Sequence, residues 1–522
     1  MPGPTLFLLI FASVVIGHLT LLQLPYYWDE GGYYIPAALD FYHTGQLVPH
    51  FTNAHPPLPN VLIGTLWHLV GVHIIATRLL VCAFAAAGLL AIFRLTQRLL
   101  DAPAAVTVTL LTAVYPIWFV QSSLAHADMF AAAFTLWAFA LYLPYAKTGA
   151  PRYVSVAVLF SLAALSKETS ILQPLALAAL EAGLLVRDRQ SPMLRRQHFA
   201  WIAALAFPVL PLVAWFAYHH HVTGFTFGNP EYLRYNATAN FTVAHILQAL
   251  RYRFLHLFWQ RNIWMPIAFA LACFFLPRRD DAPVALSRRV RSTIALLVVA
   301  NWIAFSVLGG ALLTRYLLPV YPLILIVCVA VWRTHTRRWP ILALATAAAF
   351  LSALWMNPPT SFAPEDNLTY RDMIIVHQEA IDFVAEHYPG ATVLTAWPVA
   401  ADIFRPELGY VTQPMKAISI DDFTLPQIRK AALEPDRYDT AIVFSAHFVT
   451  PAFRDYLTSH PDTRRGREYA ASRDLTPAEI AAMLGGEVVW QDDRGGEWAA
   501  VLRFRRSYDA LLLPLPRLPI PR

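Results

Sequence analysis

Residues 6–34 read LFLLIFASVVIGHLTLLQLPYYWDEGGYY. An apolar run gives way at Pro25 to the rings of Tyr26, Tyr27 and Trp28, and then to two adjacent carboxylates, Asp29 and Glu30. Aromatic rings concentrate where hydrocarbon meets water, so this order reads as a helix that leaves a bilayer and presents an acidic pair at its mouth. No Lys or Arg occurs between Pro25 and His73, which leaves the carboxylates without a counter-charge nearby in sequence. A carboxylate half desolvated by rings gains basicity and can accept a proton from a hydroxyl.

Composition extends the membrane reading to most of the chain. Apolar residues make up 57% of it and charged residues 14%, with a mean hydropathy of +0.45, values foreign to an ordinary soluble globule. Apolar runs begin near Leu6, Ile74, Ala104, Met129, Tyr153, Ser170, Ala200, Ile263, Thr293, Tyr316 and Pro340. At roughly 16 to 22 residues each, they amount to about eleven transmembrane helices. The expected fold is a polytopic α-helical membrane protein over residues 1–356, followed by a small soluble α/β domain over 357–522.

Lys and Arg mark the cytoplasmic side of a membrane protein. With the N-terminus inside, alternate connections hold Arg94 and Arg98, then Lys147 and Arg152, then Arg187, Arg189, Arg195 and Arg196. Arg278, Arg279, Arg288, Arg289 and Arg291 continue that side, as do Arg333, Arg337 and Arg338. The opposite connections are nearly bare, so Lys167, Arg234, Arg251, Arg253, Arg261 and Arg315 stand out there. An odd number of spans puts residues 357–522 outside, and the net charge of +6 is a topology signal that gives no reason to expect nucleic acid. The N-terminal residues MPGPTLF lack the basic start of a secretory signal, and the first span is read as retained. Cys82, Cys273 and Cys328 fall in apolar segments and suggest neither a disulfide framework nor a metal cluster.

Two outer loops are long. In the first, residues 25–72, helices are expected over Ile35 to His43 and Leu58 to Val70, both suited to lying along the membrane surface. The second, 219–262, is polar and aromatic, with Tyr232, Arg234, Tyr235 and a basic helix through Arg251 to His256. His219, His220 and His221 are consecutive, point in different directions on a helix, and make a poor metal site. In the last 165 or so residues, a normal domain size, helices are expected over Ile374 to His387 and Pro451 to His460. Strands are expected over Ala391 to Thr395 and Thr440 to Phe444, and a hairpin joins Glu487 to Trp490 with Trp498 to Phe504. No Gly-rich phosphate loop follows either strand. The tail LLLPLPRLPIPR is Pro-rich and reads as extended.

The first outer loop resembles that of a known family. WDEGGYY, Ala38, Gly45, Pro49, His55-Pro56-Pro57-Leu58, Gly71 and Thr77-Arg78-Leu79 are similar to the corresponding loop of the GT-C membrane glycosyltransferases, nearest to the protein O-mannosyltransferases and the transferases that attach 4-amino-4-deoxyarabinose to lipid A. Three further motifs keep the family's order: Ala125-His126-Ala127-Asp128, Leu165-Ser166-Lys167-Glu168, and Thr314-Arg315-Tyr316 through Pro322. The charge rule independently puts their connections on one side. Two departures stand out: the lipid A transferases usually carry Lys where this chain has His55, and Gly where it has Glu168.

The resemblance implies an inverting, membrane-embedded transferase of hexosyl or pentosyl groups in a bacterial inner membrane, fed by a polyprenyl-phosphate sugar. The acceptor is a hydroxyl on lipid, glycan or protein. It implies Asp29 as the catalytic carboxylate with Glu30 beside it, and Asp128 as a second acidic site for the acceptor or a divalent cation. Arg315, Lys167 and His55 would bind the donor phosphate, and Tyr33, Tyr316 and Arg78 would add substrate contacts. A transporter or flippase of lipid-linked sugars is the alternative, but such proteins place their ionisable residues near mid-membrane and often repeat internally. Here the unusual charges sit at the outer ends of the helices and no repeat is visible.

Overall fold

The computed structural model describes residues 3–48, 50, 55–144, 151–188, 190–230, 242–283, 285–308, 311–358, 362–447 and 449–504. Tyr232, Arg234, Tyr235 and the Pro-rich tail lie outside the described residues. The chain divides into two compact units: Met1–Asn357 with Ala363–Leu368, and Pro358–Phe362 with Thr369–Arg522.

The first unit is a helix bundle, and each apolar run of the sequence is helical in it. Ile74–Leu99, Glu168–Arg187, Pro192–Thr223 and Arg288–Leu308 are long and apolar enough to cross a membrane. Gly3–Gly17, Ala102–Val114, Ala127–Tyr142, Tyr153–Ser166, Trp264–Phe274, Tyr321–His335 and Trp339–Ser352 are apolar but shorter. Burial sorts them: in Ala127–Tyr142 nearly every residue is buried, whereas Glu168–Arg187 is mostly uncovered. Uncovered faces are apolar too, with Leu110, Val154, Val213 and Leu344 exposed, the pattern of helices surrounded by hydrocarbon rather than water. Small residues let the inner helices approach: a Cβ on Gly88 would lie 2.9 Å from the Trp118 ring.

Helix ends carry the usual signals. Asp101 accepts from the Ala104 amide at 3.0 Å ahead of Ala102–Val114, and proline opens that helix at its first turn, where no partner for its missing N–H is needed. In the first loop the helices form as Ile35–Thr44 and Leu58–Val70. They cross at Gly64, whose added Cβ would come within 2.7 Å of Phe41. The entry to this loop is unusual: Trp28 has a φ of 42°, a region bulky residues avoid, and Glu30–Tyr34 winds as a single π turn.

The second unit is an α/β fold around a five-stranded sheet of order β2-β1-β3-β5-β4. The strands are β1 Thr392–Ala396, β2 Lys416–Ile420, β3 Thr440–Phe444, β4 Gly486–Arg494 and β5 Glu497–Phe504. β1 pairs in parallel with β2 and β3, and β5 runs antiparallel to β3 and β4. Every residue of β3 is buried, as expected of a continuous apolar strand inside a sheet. The hairpin turns on Gly495 and Gly496, with φ of 66° and 100°, the geometry that favours glycine in a two-residue turn. β2 had no expectation in the sequence, because KAISI at a sheet edge is only partly buried and its alternation is weak.

Candidate active site

The adjacent acids Asp29 and Glu30 diverge. Glu30 turns inward and is wholly buried. One carboxylate oxygen takes Arg78 Nη1 and the Ala125 amide, the latter at 2.5 Å; the other takes Arg78 Nη2 at 3.0 Å and the Tyr27 amide at 2.7 Å. Arg78, from the helix Ile74–Leu99, also donates to the carbonyls of Ser123 at 2.7 Å and Pro25 at 3.0 Å. The structure therefore gives Glu30 and Arg78 to each other. As a sealed bidentate pair they tie the start of the loop to the bundle.

Asp29 keeps 15% of its side chain exposed and accepts from Arg315 Nη2. Arg315 is buried in the turn Thr314–Leu317, and its other guanidinium nitrogens also face carboxylates. Nη1 donates to Glu365, and Nε lies 3.3 Å from Asp128 Oδ2. Neither Nε nor Oδ2 has a hydrogen-bond partner among the described residues, so that contact is one of charge without alignment. Asp128, in the first turn of Ala127–Tyr142, takes Lys167 Nζ through Oδ1 at 2.5 Å. Lys167 follows the helix Tyr153–Ser166 in extended backbone, and its ammonium stands 3.8 Å from the centre of the Tyr316 ring, within range of a cation–π attraction.

Asp29, Asp128, Arg315, Lys167 and Tyr316, five residues singled out in the sequence, thus meet around one cluster. Asp128, Lys167, Arg315 and Tyr316 line a cleft of about 300 Å³, open mouth included, together with Thr169 and Gln173. A divalent ion at Asp128 finds little support, since two cations already flank that carboxylate. Among the described residues no three His, Cys, Asp or Glu converge at metal-binding spacing.

His55 pairs with Glu168, next to the cluster residue Lys167. Its Nδ1 lies 2.9 Å from a Glu168 carboxylate oxygen, and the ring stacks on Tyr34 with centroids 5.8 Å apart. The two departures from the family pattern, far apart in sequence, are partners in space. Lys167 pairs with Asp128 rather than with its neighbour Glu168. Tyr33 is half-buried in the π turn.

Three residues at the site, His126, Glu365 and Asp366, have no forecast role in the sequence. His126, the residue before Ala127–Tyr142, sits with Nδ1 2.9 Å from Gln121 and 3.5 Å from Arg315 Nη1. Burial, then the Arg315 and Lys167 cations, push its pKa well below the usual histidine range, so it is neutral. Glu365 and Asp366 come from Pro364–Asp366, a short turn that folds with the first unit. Asp366 accepts from the Thr314 hydroxyl and lies 4.0 Å from Arg261 Nη2. Burial, opposed by Arg315 but reinforced by Asp29, Asp366 and Asp128, pushes the Glu365 carboxyl up to about 8. Arg315 is held well above its usual value by Glu365, Asp29 and Asp128 against the effect of burial. Acidic residues in a polar stretch give no sequence signal for any of this.

Comparison with known proteins adds to this geometry. Residues 54–215 match the family model for dolichyl-phosphate-mannose-protein mannosyltransferase. No curated protein matches the chain. Among solved structures, ArnT from Cupriavidus metallidurans bound to undecaprenyl phosphate aligns over 96% of this chain and 98% of its own, at 15% identity and a TM-score of 0.54. The same protein in the apo state gives 0.53 over the same shares, also at 15% identity. AglB from Archaeoglobus fulgidus, in complex with an inhibitory peptide and a dolichol-phosphate, covers 98% of this chain and 75% of its own at 10% identity, with a TM-score of 0.47. The ArnT matches establish the fold, and with the family model they make this chain similar to the GT-C membrane glycosyltransferases.

Proposed function

We propose that the protein is an inverting glycosyltransferase that moves a sugar from a polyprenyl phosphate to an acceptor hydroxyl. The observation that carries this reading is the cluster itself. Arg315 and Lys167 are both almost fully buried together with Asp128 and Glu365, beside the partly exposed Asp29. Burying so many charges is unfavourable unless they are paired or used, and here the pairing is incomplete at Arg315 Nε and Asp128 Oδ2. Two cations beside a carboxylate of partial exposure suit a phosphate leaving group and a base.

In this mechanism Asp29 takes the proton of the acceptor hydroxyl as its oxygen attacks the anomeric carbon. The bond from that carbon to the phosphate oxygen breaks on the opposite face, which inverts the centre. Its electron pair stays on the phosphate, where Arg315 and Lys167 meet the growing charge through charge-assisted hydrogen bonds. Arg315 holds Asp29 in the ligand-free arrangement, so a phosphate that draws Arg315 away also frees the base. Asp128 positions both cations, the Glu30–Arg78 pair holds the loop that carries Asp29, and Tyr33 and Tyr316 flank the substrate.

The reading includes about eleven membrane crossings, a cytoplasmic N-terminus and an outer second unit, for which the Lys and Arg distribution is the support. It places the protein in a bacterial inner membrane with a lipid, glycan or protein acceptor. Cysteine labelling in intact cells tests the topology. An impermeant reagent should reach a Cys placed at Asp436 and not one at Gln190, and the reverse pattern overturns it. The activity is tested by transfer from polyprenyl-phosphate sugars to endogenous acceptors by the purified protein. Mass spectrometry of membrane glycolipids and envelope glycans with and without the gene identifies sugar and acceptor. An unchanged glycan profile together with no transfer from any donor would overturn the reading.

A further inference from the structure

The proposed site contains an anion of its own. Two cations, Arg315 and Lys167, share buried space with three carboxylates, Asp29, Asp128 and Glu365. With every group ionised the cluster carries one surplus negative charge, and an incoming phosphate would add at least one more. Like charges at close range in a low-dielectric interior repel strongly, so one carboxylate has to yield when an anion enters. Asp128 is committed to Lys167 as well as Arg315, and Asp29 is needed as the base. Glu365 is bound by neither demand, since among the described residues its carboxylate is held by Arg315 alone.

We propose that Glu365 is a built-in stand-in for the donor phosphate, its carboxylate, when ionised, filling the anion seat on Arg315 until a lipid-linked phosphate displaces it. The inference rests on the reading of Arg315 as the phosphate ligand. Protonation eases the displacement, because a neutral Glu365 no longer competes for the guanidinium. The carboxyls that face it are Asp29, Asp128 and Asp366, and the nearest cation is Arg315. Behind them stand Lys167 on Asp128, Arg261 and Arg253 near Asp366, and neutral His126 against Arg315. Asp366 is also pushed up, by burial, but its partners are Thr314 and Arg261.

The test is binding of undecaprenyl phosphate to the purified full-length protein in detergent between pH 7 and 9. A carboxyl that titrates near 8 loses its proton across this window and becomes a competitor. Wild-type affinity should therefore fall about tenfold from pH 7 to pH 9, the ratio for one proton linked to binding. The second ionisation of a phosphate ester, near about 6, lies below the window. Glu365→Gln keeps the size and removes the competitor, so its binding should be flat with pH and about tenfold tighter than wild type at pH 9. Asp366→Asn should keep the wild-type slope.

A wild type whose binding does not change with pH overturns the stand-in, and so does a slope abolished by Asp366→Asn instead of Glu365→Gln. A missing wild-type slope overturns the stand-in even if a variant folds poorly. Arg315→Ala separates the two levels of argument: unchanged binding there removes the phosphate reading itself, whereas lost binding without a Glu365 effect removes only the stand-in. A parallel arm with a water-soluble alkyl phosphate, a monoester whose second ionisation also lies below the window, tells a lipid-phosphate seat, where the lipid alone shows the slope, from a general phosphate seat, where both do. Either result supports displacement, and the slope with neither overturns it.

Discussion

Asp29 and Glu30 are neighbours in the chain and end in two different electrostatic regions. Around Glu30 the charges balance: one carboxylate, one guanidinium, two backbone amides and short distances throughout, with both side chains sealed from solvent. Around Asp29 they do not: three carboxylates share two cations, and a cleft opens beside the cluster. A closed pair fixes geometry, while an unbalanced cluster has capacity for another ion. On the proposed reading this difference separates a positioning element from reacting groups more sharply than residue type does, since carboxylates and a guanidinium group build both regions.

The largest effect expected breaks the comparison on its open side. Asp29→Asn keeps size and removes charge, so it should lower the transfer rate about 10²- to 10⁴-fold while thermal stability stays near wild type. A stable variant with most of its activity would take the base away from Asp29. On the closed side, Glu30→Gln strands the buried Arg78 cation, and losing one partner of such a pair typically costs about 3–5 kcal/mol of stability. Thermal unfolding in detergent should register that loss, and the activity of the remaining folded protein should fall less than for Asp29→Asn. A fully stable Glu30→Gln would show that the pair does not hold the loop.

A smaller effect tests whether the departures from the family pattern compensate. His55→Ala and Glu168→Ala, singly and together, should show a coupling in stability of about 0.5–3 kcal/mol, the range for residues in contact. Additive losses would make the 2.9 Å contact incidental. The smallest effect is a control: Arg338 is exposed, and Arg338→Ala should stay within about 0.5 kcal/mol of wild type with donor affinity unchanged, in contrast to Arg315→Ala.

Helices were legible because their signal is local. Apolar runs mark the bundle, Leu58 to Val70 shows helical spacing, and Gly495-Gly496 between two strands announces its turn. The edge strand β2 was not, because partial burial erases the alternation that would reveal it. Within the site, motif order assembled Asp29, Asp128, Lys167, Arg315 and Tyr316. Glu365 escaped because nothing local distinguishes an acid that will be buried from one that will be solvated.

Composition, apolar run length and motif order, all properties of the chain read in one dimension, determined the helical class of the first unit, the α/β character of the second and the list of candidate site residues that meet in the cluster. Tertiary structure alone decided which charge meets which. It turned Glu30 toward Arg78 and Asp29 toward Arg315, brought His55 to Glu168 across a separation of 113 residues, and set Glu365 against Arg315. The physical reason is range. Helix formation and the hydrophobic pattern are settled within a few turns of chain, whereas the pairing and burial that give a charge its strength depend on neighbours that only folding supplies.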